Sequence, residues 1–172
     1  MASERTTGAA ASLRVDPDYA LKKEAVVAYL HRLCRMLDEF DIQGFVDEFP
    51  DDGSYRLIPR DNYERRLPVH VIDDDKRRLI YRMKLITDHW HYERFREMRM
   101  LSNVMVEFPD AESAIAKSNL LVYQTDAEGR TNLHMACVLE DRIVAVGGRW
   151  RIKDRLAILE SFLPNEAIVV PP

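Results

Sequence analysis

Asp88, His89, His91 and Glu93 fall in one short stretch, DHWHYE, and these side-chain types ligate metals or carry protons. Geometry decides whether they can work together. Residues two apart share a face on a strand and point nearly opposite ways on a helix. The run DDDKRRLIYRMKLITDHW, residues 73–90, reads as a helix. Three aspartates sit at its positive end, and Leu79, Met83, Ile86 and Trp90 share a face. His89 and His91 therefore lie at the end of that helix or in the connection after it, with Trp90 packed inward. They read as surface or partner-contact histidines rather than as a chelating pair. His31, His70 and His134 are isolated in sequence and complete no ligand spacing.

No GxSxG elbow, phosphate-binding loop or dinucleotide fingerprint occurs in the sequence. The glycines of VGGRW mark a turn between strands. Cys34 falls among the apolar residues of the first helix and reads as packing. Cys34 and Cys137 form no CxxC pair, so a disulfide framework is not indicated and a reducing cytoplasm is expected.

The elements that must position these residues follow from periodicity. Asp16 is placed to cap a first helix with Pro17 at its first position, and Val26, Tyr29, Leu30, Leu33, Leu37 and Phe40 form its apolar stripe. DIQGFVDEF reads as a second, short helix and SYRLIP as a strand; residues 60–72 are mixed. Beyond the third helix the period changes to two. Met98, Met100, Ser102, Val104, Val106 and Phe108 alternate with Arg99, Leu101, Asn103 and Met105. SAIAKSNLLVYQT, TNLHMACVLEDRIVAV and GGRWRIKDRLAILES supply three more strands. Helices first and a meander of long strands after predict an α+β fold, with a strongly curved antiparallel sheet wrapped on N-terminal helices like a cone.

The 172 residues suit one domain, residues 13–172, behind a small, polar and disordered tail over residues 1–12 that lacks a signal-peptide core. A composition of 47% apolar and 31% charged residues suits a soluble globular protein. The net charge of −4 gives no reason to expect a nucleic-acid partner. No apolar run approaches the ~20 residues of a membrane span.

Two features point to assembly. Arg149, Arg151, Lys153 and Arg155 alternate along the last strand, opposite Trp150, Ile152, Leu156 and Ile158, as a basic face for an acidic partner surface would. The C-terminal tail, residues 164–172, carries Ile168, Val169 and Val170, which would sit comfortably against a neighbouring subunit. Arg149, Trp150, Arg151, Lys153, Arg155, Ile168, Val169 and Val170 are thus the expected interface.

With RLCRMLDEFDIQGFVDEFPDDGSYRLIP, MRMLSNVMVEF and GGRWRIKDRLAILES in this order and spacing, the chain resembles the small (beta) subunit of aromatic-ring-hydroxylating dioxygenases. The resemblance spans roughly residues 18–165. It implies a cone of the nuclear-transport-factor-2-like or cystatin-like type and a hexamer of three large and three small subunits, with contacts between beta subunits in a trimer. It further implies that the alpha subunit holds a Rieske [2Fe–2S] cluster and a mononuclear Fe(II), fed with electrons from NAD(P)H. The residues here agree with that division of labour. A Rieske centre needs closely spaced Cys and His pairs, and non-haem iron needs two His and a carboxylate; neither set is legible in this chain. One departure is that Arg99-Met100-Leu101 stands where many members carry an Arg-His-Leu-Val sequence. The expected role is a non-catalytic structural subunit without cofactor or metal of its own. The alternative is a free-standing isomerase or dehydratase with an Asp or His base in the cone, for which Tyr55, Asp88, His89 and His91 are the candidates.

Overall fold

A computed structural model of the chain describes residues 16–88, 91, 94–161 and 168–172. The tail expected over 1–12, His89, Trp90 and the first part of the 164–172 tail lie outside these residues.

Asp16 caps α1, Pro17–Asp38. Its backbone is extended and its carboxylate accepts from the amides of Asp18 at 3.0 Å and Tyr19 at 3.4 Å. This satisfies donors that the first helical turn leaves unpaired. Val26, Tyr29, Leu30, Leu33, Cys34 and Leu37 form its buried stripe. Phe40, with φ of 61°, ends the helix, and Asp41 caps the short α2, Ile42–Asp47, through the Gly44 amide at 3.0 Å. There follow β1 (Ser54–Pro59), α3 (Arg60–Glu64), β2 (Ile72–Asp75), α4 (Lys76–Asp88), β3 (Arg96–Glu107), β4 (Ser113–Thr125), β5 (Thr131–Val146) and β6 (Arg149–Leu159).

One sheet of order β2-β1-β6-β5-β4-β3 results. Every pairing is antiparallel except β1 with β6, which is parallel. The helix expected from residue 73 is α4 and starts later, at Lys76. Ile72–Asp75 is instead a strand, because Ile72 and Asp74 alternate inward and Asp73 and Asp75 outward while the run pairs with β1. Asp74 is buried against Arg82, and only Asp75 serves the helix start, accepting from the Arg78 amide at 2.8 Å.

All three hairpins of the meander are bulged: between Ser102 and Met105, Val122 and Tyr123, and Arg142 and Ile143. A bulge bends its strand and reverses which residues face inward. Asn103, with φ of 53°, sits in the first, where Asn tolerates a left-handed backbone. Inside, α1, α2 and α4 share one core with all six strands. Ile58 and Ile158 are buried apart from that core, on the other side of the sheet.

Candidate functional site inside the cone

The bulge opposite Lys153 decides the character of the interior. Ile152 pairs with Ile143, Lys153 is the extra residue, and Asp154 pairs with Arg142, so Arg155 turns into the cone beside Asp141. The expected face of Arg149, Arg151, Lys153 and Arg155 is thereby broken. Arg155 is 1% exposed and leaves the interface set, while Leu156 and Ile158 move to the outer side. Arg155 grips Asp141 through two parallel bonds, Nε to Oδ1 at 2.8 Å and Nη2 to Oδ2 at 2.9 Å. Burial alone works against the guanidinium charge, but Asp141 outweighs it and holds Arg155 more firmly protonated than usual. Of the others, Arg149 is exposed, Trp150 stacks near Phe108, Arg151 reaches Glu48 at 3.1 Å and Lys153 pairs with Asp52.

A second buried cation, Arg99, lies on β3. Before its bulge β3 turns Glu97 and Arg99 inward and leaves Met98 and Met100 outside. Arg99 Nη1 donates to Asp38 at 3.0 Å and Nη2 to Glu97 at 2.7 Å. The Arg99 amide also donates to Asp38, at 3.1 Å, tying the end of α1 to the sheet. The remaining acceptors come from the end of the chain. Arg99 Nη2 donates to the Pro171 carbonyl at 3.0 Å, and the Tyr55 hydroxyl donates to the main-chain oxygen of Pro172 at 2.6 Å. Val170 is buried in the core of its own chain, with Ile168 and Val169 packed partly against it. The apolar tail is therefore folded into its own cone, which corrects the expectation that Val170 waits for a neighbour.

These contacts separate the candidates for acid–base chemistry. Tyr55 is wholly buried in β1 with its hydroxyl engaged, and burial pushes its pKa far above the ordinary range. Asp88 and His91 are exposed, and Asp88 accepts from Thr87 Oγ1 at 2.8 Å. Among the described residues no three His, Cys, Asp or Glu side chains converge in a way that could hold a metal. Both cysteines are buried thiols; burial raises Cys34, and Cys137 is pushed up to about 12 by the same cause. Neither is thus poised as a thiolate ligand or nucleophile. Sequence reading missed Asp38, Glu97, Asp141 and the inward Arg99 and Arg155. The signal for Arg99 was Asn103, which permits the phase change that puts Arg99 and Val106 on the same inner face.

Comparison with known proteins follows this geometry. Residues 18–156 match the SnoaL-like domain family. The beta 1 subunit of the terminal oxygenase component of terephthalate 1,2-dioxygenase from Comamonas sp. is 21% identical over 85% of this chain and 96% of its own length. The small subunit of anthranilate 1,2-dioxygenase from Burkholderia cepacia is 22% identical over 78% of this chain and 84% of its own. Among solved structures, the beta subunit assigned to an aromatic-ring-hydroxylating dioxygenase of Novosphingobium aromaticivorans superposes with a TM-score of 0.80 at 22% identity. It covers 90% of this chain and 99% of that one. A protein of the same organism assigned as a scytalone dehydratase superposes at 0.69 with 14% identity, covering 88% of this chain and 92% of that one. At these identities the structures establish the fold. The homologues are subunits of dioxygenases, as the sequence resemblance indicates. No described helix is long and apolar enough to cross a membrane.

Proposed function

Since this chain belongs to the SnoaL-like domain family, we propose that within it the protein is the non-catalytic beta subunit of an aromatic-ring-hydroxylating dioxygenase. Its partner is an alpha subunit that carries the Rieske cluster and mononuclear iron and receives electrons from NAD(P)H. The two assemble as three of each in the cytoplasm, with the beta subunits touching in a trimer. The spacing of Cys and His along this chain matches neither metal centre, which supports placing both in the partner.

One observation carries this reading beyond likeness. The charged groups of the cone, Asp38, Glu97, Arg99, Asp141 and Arg155, are paired with one another, whereas the outer face of β3, β4 and β5 carries exposed apolar side chains around the Lys117–Glu140 pair. Met98, Met100, Met105, Ile115 and Leu133 are 45–68% exposed, and the register brings Met98 beside Tyr123, Met100 beside Leu121 and Leu133 beside Tyr123. A patch of that kind marks an interaction surface, and obligate interfaces are apolar and bury upwards of ~2,000 Å². A dehydratase of the same shape would need its base inside the cone; Asp88 and His91 are exposed, and the carboxylates inside, Asp38, Glu97 and Asp141, are ion-paired to Arg99 and Arg155.

Co-expression with a Rieske-type alpha subunit tests the proposal. Light scattering on the purified complex should give a hexamer containing iron, active on an aromatic substrate. Met100→Asp with Leu133→Asp should leave the circular dichroism of the chain native and abolish assembly. An isolated chain that turns over a substrate by itself, or assembly indifferent to both aspartates, would overturn the reading.

A further inference from the structure

Oxidisable sulfur is unevenly placed in this chain. The two thiols that an oxidant would ordinarily meet first, Cys34 and Cys137, are buried and held in the unreactive protonated form. The thioethers fall into two groups. Met83 and Met135 are 3% and 2% exposed, and Met36 packs partly against the core. Met98, Met100 and Met105 are 54%, 51% and 68% exposed. The phase of β3 brings these three together. Met98 and Met100 are two apart and share the outer face, and the bulge between Ser102 and Met105 resets the alternation so that Met105 also faces out while Val106 faces in. On β4 they stand opposite Tyr123, Leu121 and Lys117 in turn. Met105 and Ile115 also line a cleft of about 300 Å³ beside Lys117 and Glu140, which opens that sulfur to small solutes.

We propose that Met98, Met100 and Met105 form an oxidative modification site, at which hydrogen peroxide turns the outer face of β3 from apolar to polar before the chain is assembled. Each thioether sulfur attacks one peroxide oxygen. An S–O bond forms, the O–O bond breaks, the sulfur gives up two electrons, and the other oxygen leaves as water with both protons. The product is a sulfoxide, a polar group with a strong acceptor oxygen, and sulfoxide reductases can reverse it. Three such groups on one strand face place acceptors in the middle of an apolar contact, where losing water without gaining a donor is unfavourable. The oxidised chain is thereby kept out of assembly, and reduction readmits it. The consequence for assembly rests on the subunit reading proposed above; the site itself belongs to the single chain.

The test treats the full chain with dilute hydrogen peroxide, removes the excess with catalase and follows each methionine by peptide mass spectrometry. Met98, Met100 and Met105 should gain oxygen at least ~10-fold faster than Met83 and Met135, with circular dichroism unchanged. The oxidised chain should leave a hydrophobic-interaction column earlier than the untreated one, which reads the face without any partner. It should bind a Rieske-type alpha subunit at least ~10-fold more weakly. Methionine sulfoxide reductases acting on both epimers should restore retention and binding. The variant Met98→Leu with Met100→Leu and Met105→Leu keeps the face apolar without sulfur, and its retention and binding, whatever their strength, should not change with peroxide. Equal oxidation rates at exposed and buried methionines, unchanged retention of the oxidised chain, or the same loss in the triple leucine variant overturns the proposal. Should that variant not fold, reductase treatment is the control, and a loss that it does not reverse overturns the proposal. If the untreated chain does not bind the alpha subunit, the subunit reading fails, while the rates and the retention still decide the modification site.

Discussion

Replacing Asp141 by Asn tests whether the buried pair at the heart of the cone is understood. Arg155 and Asp141 are each 1% exposed and joined by two bonds of 2.8 and 2.9 Å. The substitution keeps the shape but strips the guanidinium of its counter-charge. Tyr55 and Cys34, which interact with Arg155, are both held neutral by burial and supply no replacement. Removing one partner of such a pair costs about 3–5 kcal/mol, most of it the desolvation of the stranded charge. For a chain of this length each kcal/mol lowers the Tm by roughly 2–4 °C, so the transition should fall by roughly 6–20 °C. Urea unfolding followed by circular dichroism gives the free energy directly. The double replacement Asp141→Leu with Arg155→Met removes both charges and should recover most of the loss. A loss below ~1 kcal/mol in D141N, or a double variant less stable than the single one, would refute the reasoning.

Two further outcomes follow from particular residues. The Cys137 thiol, raised from 9.0 to about 12, should resist thiol reagents at pH 8 in the native chain and react only on unfolding. Because its folded pKa is the higher one, its contribution to stability is complete below pH 9 and is lost as pH rises toward about 12. The loss there is on the order of 4 kcal/mol by linkage, which urea titrations at stepped alkaline pH will read. At Asn103, where φ is 53°, glycine should be tolerated and valine should destabilise by about 1–2 kcal/mol in the same titration, since a branched side chain resists the left-handed backbone.

The strands were legible in the sequence where alternation was long. β4 and β5 run from Ser113 to Thr125 and from Thr131 to Val146, as the pattern indicates, and α1 begins at the cap that Asp16 and Pro17 announce. Facing was not legible, because strict alternation carries no mark of a bulge. One extra residue at Lys153 moved Arg155 from an expected surface to the interior. β2 was hidden because three consecutive aspartates suit a helix start as well as an edge strand, and only pairing with β1 decides between them. The expectation for Val170 failed on long-range geometry. Apolar residues near a chain end signal burial, but nothing local states whether the host is a neighbour or the same chain.

The parallel pairing of β1 with β6 has a consequence for the order of folding. Ser54 meets Asp154 a hundred residues later, and Tyr55 through Pro59 pair with residues just beyond it. During synthesis β1 and α2, with Phe45, Phe49 and Tyr55, emerge long before their sheet neighbour exists. Contacts this distant in sequence carry a loop-closure cost before they return any stabilisation, and parallel pairs form slowly. A nascent chain must therefore hold an unfinished, aromatic-rich half until the last strand is made. That interval is when a chaperone matters most.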